Sequence, residues 1–365
     1  MPRSARLHDA FTTYRTPECD SRPRAHDSRT TEISGHDAVD PYPFPPLPPY
    51  RGGGPRHRLW GRPQCLWFLG RRLSQERCRR HKWRGRTSVT DASGTKVEIP
   101  RTPERVVALS EMDLDSALAL GVKPVGLSAG RGQKGAPEYL SQQAQGIPVV
   151  GAVTGPDIEK VVQAKPDVIL AGQTADAQVL AQLRKIAPTV VTIDNTKSWK
   201  KSLELTGQVL GKADAAKKFL ADYDTKAAAL KKDLGAKAGA TVSVARYSAK
   251  GTAVMQQGVF ISDVLGDLGF KRPGIQNEKG QGHSTPLSDE NLKEIDGDWL
   301  FIGTLSSAGP DKGLLDQLQK KPAYRELNSV RQGHATLIDG SKWTSLGGAE
   351  AADSVLGDIR KAMVK

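Results

Sequence analysis

From Thr87 onward the chain carries apolar runs of only four or five residues, each followed by a stretch of helical periodicity. Arg105-Val106-Val107-Ala108-Leu109 is such a run, and others recur at Pro124–Leu127, Pro148–Val150, Asp167–Ala171 and Thr189–Ile193. Runs this short cannot make buried helices, and without polar alternation they read as strands covered on both faces. Strands alternating with helices, at 157–165 and 176–186 among others, predict a parallel sheet between helical layers. Ahead of them, Val89-Thr90-Asp91 and Lys96-Val97-Glu98-Ile99 flank Ala92-Ser93-Gly94-Thr95 as a β-hairpin. Asp113 is expected to cap a helix through Leu114, Leu118 and Leu120 that Gly121 ends.

The programme then runs again. Strands are predicted at Thr241–Ala245, Trp299–Ile302 and Ala335–Ile338, with helices at 260–268, 288–295 and 347–363. One unit repeats in register: Glu159 precedes Asp167-Val168-Ile169-Leu170-Ala171-Gly172 by eight residues, and Glu290 precedes Asp298-Trp299-Leu300-Phe301-Ile302-Gly303 by eight. Each is a Glu in a helix's first turn followed by a buried strand ending in Gly, which argues for two similarly built lobes. Between them Phe219, Leu220, Tyr223, Ala227, Leu230 and Leu234 share one face at three-to-four spacing. The fold class is therefore α/β: two Rossmann-like lobes with central, mainly parallel sheets, residues 87–212 and 238–365, joined by one long helix over 213–237. Such a connection is stiffer than paired loops, so a pre-formed cleft with modest closure is expected.

Composition separates residues 1–86 from this body. The chain's formal charge is +13, but the first 86 residues hold 17 Arg, one Lys and 8 acids, a net of +10, and the remainder is only +3. A nucleic-acid partner for the folded part loses its main support. The segment has no sustained periodicity, contains Pro41-Tyr42-Pro43-Phe44-Pro45-Pro46-Leu47-Pro48-Pro49, and is expected to be a disordered, non-native extension upstream of the fold. The rival is a basic, proline-rich arm for nucleic acid or anionic lipid. All three cysteines, Cys19, Cys65 and Cys78, lie here in no paired spacing. No run approaches the ~18 apolar residues of a membrane span, and no signal peptide is readable.

The order Val97-Glu98-Ile99-Pro100, Pro103-Glu104-Arg105-Val106-Val107-Ala108-Leu109 and Leu118-Ala119-Leu120-Gly121-Val122 leads to a resemblance. With Ile158-Glu159-Lys160-Val161-Val162-Gln163-Ala164-Lys165-Pro166-Asp167-Val168-Ile169-Leu170 and Trp343-Thr344-Ser345-Leu346-Gly347-Gly348, it resembles the substrate-binding proteins of iron–siderophore ABC importers. That group also holds vitamin B12 and haem binders. The resemblance covers residues 87 to the C-terminus and implies two α/β lobes bridged by a long helix, with the ligand between them. It implies a non-enzymatic monomer without cofactor, exported to the periplasm or anchored at the cell surface, whose ligand is a ferric siderophore with the iron held by the chelator. Neither Arg62-Pro63-Gln64-Cys65 nor Gln75-Glu76-Arg77-Cys78 resembles the lipobox of such proteins.

The resemblance also implies that Glu159 and Glu290 pair with arginines of a membrane permease; by itself, a Glu there favours a helix N-terminus by ~0.3–1 kcal/mol. Arg246 follows Val242-Ser243-Val244-Ala245 at the carboxyl end of a strand, where clefts in open parallel sheets form. A guanidinium there can fork onto the oxygens of a ferric chelate. Trp343, Trp199 and Tyr247 also follow strands and offer aromatic walls for a bulky ligand. Trp199 is equally readable as the first core residue of its helix, and Tyr247 points opposite to Arg246 if the strand continues. Arg131, on the loop Gly130–Gly135, lies at the expected rim, and His283 is a loop residue that could touch ligand. Two histidines in the body give little footing for a protein-held metal. With Arg131 and Arg246 as the only arginines at the expected rim, a neutral or lightly charged hydroxamate is favoured over a trianionic catecholate. Haem and vitamin B12 remain the alternatives within the family. From another class, Gly130-x-Gly132-x-x-Gly135 leaves a nucleotide-using enzyme.

Overall fold

The computed structural model describes residues 85–364 except 195, 280, 281 and 308–310. The expectations for the N-terminal extension and its cysteines lie outside the described residues, apart from Arg86, which opens the first strand.

Strands β1 (Arg86–Thr90) and β2 (Lys96–Pro100) pair as the antiparallel hairpin. Its turn is closed by the Asp91 carboxylate, which accepts hydrogen bonds from the backbone of Ser93 and Thr95 at 2.9 Å each. Six strands then make the first sheet: β3 (Val106–Ala108), β4 (Gly126–Ala129), β5 (Val149–Ala152), β6 (Gly155–Pro156), β7 (Val168–Leu170) and β8 (Thr189–Val190). Their order is β6-β5-β4-β3-β7-β8, parallel except at β5–β6. The second sheet is formed by β9 (Val242–Ser248), β10 (Gly251–Val254), β11 (Trp299–Thr304) and β12 (Ala335–Asp339) in the order β10-β9-β11-β12. Here β9, β11 and β12 are parallel, and β10 is an antiparallel edge strand.

Helices α1 (Glu111–Ala119), α2 (Ile158–Ala164), α3 (Ala177–Ile186) and α4 (Trp199–Val209) belong to the first sheet's half. Helix α5 (Ala213–Leu234) connects the halves, and its 22 residues span ~33 Å. In the second half are α6 (Phe260–Asp267), the short α7 (Leu314–Lys320), α8 (Pro322–Arg325), α9 (Asn328–Arg331) and α10 (Gly340–Trp343), and the closing α11 (Ala349–Met363). Helix α5 packs on α4 of the first half and on α11 of the second, while α1 packs directly on α11. The approach of α4 to α5 is close because Gly207 faces Ala216; a Cβ at 207 would lie 2.7 Å from the Ala216 methyl. One apolar cluster therefore runs through both halves, from Met112 and Trp199 across Tyr223 to Phe260, Trp343 and Val355. The halves share a core on the helix side as well as a covalent link.

Two local expectations are corrected. Ser110, not Asp113, caps α1: its hydroxyl accepts the Asp113 backbone N–H at 3.0 Å, and Asp113 lies within the helix, fully buried. The segment Asp289–Ile295 forms a 3-10 helix and not an α-helix; no side chain caps its start at Ser288.

Candidate ligand cleft

The carboxyl ends of both sheets face a common seam. Arg246 leaves β9 opposite Gly303 of β11 and Ala253 of β10, and its guanidinium donates to the Thr344 carbonyl at 3.2 Å. The half-buried side chain has its pKa lowered, first by burial and then by the positive charge of Arg131, while Glu111 and Asp311 oppose the shift. Arg131 comes from the other half, on the loop after β4, and its backbone N–H donates to Glu111 Oε1 at 2.5 Å. The seam thus brings one arginine from each half near a buried carboxylate, Glu111.

Interlobe hydrogen bonds define the rest. Glu111 Oε2 accepts from the Ser345 hydroxyl and, at 3.2 Å, from the Leu346 backbone N–H. Gln133 Nε2 donates to the Leu305 carbonyl at 2.5 Å, and the Ser307 backbone donates to Glu138 at 2.9 Å. Asp115, fully buried on α1, caps α11 of the opposite half: it accepts the backbone N–H groups of Glu350 at 2.8 Å, Ala351 at 3.0 Å and Gly348 at 3.3 Å, plus the Tyr139 hydroxyl at 2.7 Å. The Gly347-Gly348 pair makes this approach feasible. A Cβ at 348 would sit 2.6 Å from an Asp115 carboxylate oxygen, and one at 347 would meet the Phe260 ring at 2.7 Å. Burial raises the Asp115 carboxyl to about 6, with its hydrogen bonds opposing the shift, and raises Asp113 likewise to about 6.

Among the described residues, hollows that take residues from both halves open along the seam. One, of ≈ 290 Å³, is lined by Ser110, Thr154, Gln173, Thr174, Asp176 and Leu346 among others. Another, of ≈ 380 Å³, includes Glu138, Thr304, Ser307, Asp311 and Asp339.

The aromatic walls expected from the sequence are not on this seam. Trp343 is fully buried, stacked on Phe301 at 4.6 Å between centroids, with its indole N–H donated to Asp358 at 2.9 Å. The helical turn Gly340–Trp343 intervenes after β12 and rotates the ring into the core. Trp199 is likewise core: it starts α4 and meets Tyr223 edge-on at 4.8 Å. Tyr247 follows the alternation of β9 onto the opposite face from Arg246, among Val254, Leu292 and Leu300, with Lys321 Nζ 5.5 Å above its ring. His283 is exposed, with ring Nδ1 2.9 Å from the Ser284 carbonyl oxygen. Glu159 and Glu290 are both exposed, at the starts of α2 and of the 3-10 turn.

The nucleotide alternative finds no support in the Gly130–Gly135 loop. It closes on itself through Gly130 N–H to the Gly135 carbonyl at 2.8 Å, and only the three-residue turn Glu138–Leu140 follows, without the long helix whose N-terminus would receive phosphates. Among the described residues, no three His, Cys, Asp or Glu side chains are grouped to hold a metal ion, and no helix is long and apolar enough to cross a membrane.

The residues that sequence reasoning missed are Glu111 and Asp115. The signal available for Asp115 was Gly348, since a glycine at a helix start admits a close neighbour; Glu111 had none.

Comparison with known proteins agrees with this architecture. The sequence profile of the family described as periplasmic binding protein matches residues 106–341. The probable siderophore-binding lipoprotein YfiY of Bacillus subtilis is 34% identical over 287 residues, covering 76% of this chain and 88% of that protein. The iron(3+)-hydroxamate-binding protein FhuD of the same organism is 31% identical over 268 residues, 68% and 78% of the two chains. Among solved structures, Staphylococcus aureus SirA complexed with staphyloferrin B superposes with a TM-score of 0.66 at 30% identity, covering 76% of this chain and 98% of that one.

Proposed function

Because this chain belongs to the periplasmic binding protein family, we propose that it captures a ferric siderophore between its two halves and hands it to the permease of an ABC importer. The observation that carries this reading is the convergence of Arg246 and Arg131, one from each half, at the seam where the carboxyl ends of both sheets meet. Two arginines from opposite halves, near enough for their charges to interact, suit an object that bridges the halves and carries negative oxygens on its surface. A ferric chelate is such an object, with the iron as cargo inside the chelator and no protein ligand to the metal.

The relatives' names include iron(3+)-hydroxamate, achromobactin, petrobactin, Fe(3+)-citrate and staphyloferrin B, so the choice of chelate falls to the charge of the site. Arg131 and Arg246 are opposed by two carboxylates, Glu111 and Asp311, which leaves no net positive charge at the centre of the seam. That balance favours a lightly charged hydroxamate over a trianionic catecholate, because extra negative charge would stand against Glu111 and Asp311. Haem and cobalamin rank lower: the aromatic side chains that would have walled a flat macrocycle lie in the core.

Delivery falls to Glu159 and Glu290, which stand exposed on separate halves and would pair with permease arginines. The chain acts as an exported monomer in this reading; the relative YfiY is named a lipoprotein.

The test is a thermal-shift series with ferrioxamine, ferric staphyloferrin B, a ferric tricatecholate, haem and cobalamin. A ligand at a hundred times its Kd stabilises by ~2.7 kcal/mol, a shift of several degrees. Ferrioxamine should give the largest rise, and Arg246→Ala should weaken that binding tenfold or more, a loss of at least ~1.4 kcal/mol. Stabilisation by haem or cobalamin alone, or wild-type affinity in Arg246→Ala, would refute the reading.

A further inference from the structure

Glu111 makes an unusual set of contacts for a carboxylate on the first turn of a helix. It is 2% exposed, and both oxygens are spent on groups from the seam. Oε1 takes the backbone N–H of Arg131 at 2.5 Å, which fixes the loop carrying one cleft arginine. Oε2 takes the Ser345 hydroxyl and the Leu346 N–H at 3.2 Å, which fixes the segment immediately after Thr344. The Thr344 carbonyl is in turn the acceptor for Arg246 at 3.2 Å. One side chain therefore anchors the supports of both arginines, one in each half.

We propose that Glu111 is the positioning residue of the ligand site: by bridging the Arg131 loop to the Thr344–Leu346 segment, it sets the separation and aim of the Arg131 and Arg246 guanidiniums before ligand arrives. This rests on the reading of the seam as the ferric-siderophore site. The charge distribution supports it independently of any ligand. Arg131 and Arg246 repel each other, burial disfavours the Arg246 charge, and Glu111 and Asp311 are the groups that offset this. Other seam ties do not serve this end. Asp115 holds the start of α11, Gln133 holds Leu305 and Glu138 holds Ser307; none of those partners is a support of Arg246. Glu111 acts through backbone and hydroxyl groups and does not itself reach the chelate. Pre-setting the two guanidiniums removes an ordering cost that binding would otherwise carry.

Positioning and simple charge balance predict opposite signs for Glu111→Gln. Removing a negative charge beside two arginines would by itself tighten an anionic chelate. Loss of positioning weakens it, because an amide cannot accept at both oxygens. The experiment measures calorimetric affinity of the full chain for ferrioxamine and for ferric staphyloferrin B, together with the side-chain Nε–Hε NMR signal of Arg246, assigned by its disappearance in Arg246→Ala. Glu111→Gln should weaken whichever probe the wild type binds tenfold or more and move the Arg246 signal toward that of a free arginine. In an Arg246→Ala background the further loss should be clearly smaller, because Glu111 then positions only the Arg131 loop. Ser345→Ala removes one arm of the tie without changing charge, and should cost about threefold with a smaller displacement of the same signal. Unchanged or tighter binding in Glu111→Gln, a full loss persisting without Arg246, or an unmoved Arg246 signal would overturn the proposal. Should Glu111→Gln fail to fold, wild-type affinity and an unmoved signal in Ser345→Ala would overturn it. If the wild type takes neither chelate, the siderophore reading is what fails, and the NMR signal alone judges the positioning role.

Discussion

The two halves start their central strands by the same device and diverge at the helix that precedes it. In the first half Asp167 accepts the backbone N–H groups of Glu104 at 2.8 Å and Arg105 at 3.0 Å, just ahead of β3; in the second, Asp298 accepts that of Thr241 at 2.7 Å, just ahead of β9. Each aspartate stands at the entry of the strand paired beside the one it ties, β7 on β3 and β11 on β9. Eight residues upstream stand Glu159 and Glu290. The first is in an α-helix capped by Asp157, whose carboxylate accepts from Lys160 N–H; the second is in a 3-10 turn without a side-chain cap. The difference teaches that the repeat conserves the placement of the exposed glutamate relative to its sheet and leaves the helix type free. That placement is compatible with the docking role proposed for the two glutamates.

The largest expected effect follows from that equivalence. Glu159→Arg combined with Glu290→Arg should abolish chelate uptake by cells while leaving the calorimetric affinity of the isolated protein unchanged, because both side chains are exposed. Each single reversal should give a partial defect of similar size. A full defect from one and none from the other would break the equivalence of the halves.

Much of this architecture was legible in the sequence because it rests on local periodicity. The strand runs, the hairpin at Asp91 and the apolar face of α5 each declare themselves within a few residues. What was not legible depended on direction or distance. Trp343 follows a strand just as Arg246 ends one, yet one helical turn sends its ring inward; position after a strand does not specify which way a side chain faces. The edge strand β10 was missed because Gly251-Thr252-Ala253-Val254 is short and weakly apolar, and its pairing with β9 supplies the order. Glu111, Asp113 and Asp115 were hidden for the opposite reason. Acids at alternate positions of a helix read as solvated, whereas the partners that bury Glu111 and Asp115 are donors more than 230 positions away.

Glu111 and Asp115 mark an asymmetry between the halves: these two acids of α1 supply acceptors and the second half supplies donors. The two buried aspartates of α1 set a pH dependence. Asp113 and Asp115 are raised by burial from 3.8 to about 6, so the folded state holds their protons to higher pH than the unfolded chain does. Their contribution to stability is therefore greatest below about pH 3.8, falls as pH rises through 6, and is level above that. The scale is on the order of 3 kcal/mol for each group. Asp113→Asn keeps an acceptor for Thr192 and removes the titration, so its melting temperature relative to wild type should climb between pH 4 and pH 6.5. A constant difference across that range would mean that Asp113 does not titrate there.

The smallest effect sharpens the comparison at its base. Asp167→Ala strands two backbone N–H groups and Asp298→Ala strands one, in segments where water can replace the lost acceptor. At roughly 0.5–1.5 kcal/mol per hydrogen bond, and toward the low end for exposed partners, Asp167→Ala should cost about 1 kcal/mol and Asp298→Ala about half of that. Urea unfolding resolves such a gap if the slope with denaturant is shared by both variants. A ratio near two would mean that each aspartate acts only through the N–H groups it accepts, so the two halves differ in number of bonds and not in kind. A much larger loss at Asp167 would assign it a further role in seating β3 at the centre of a six-stranded sheet, one that Asp298, beside β9 in a sheet of four, does not share.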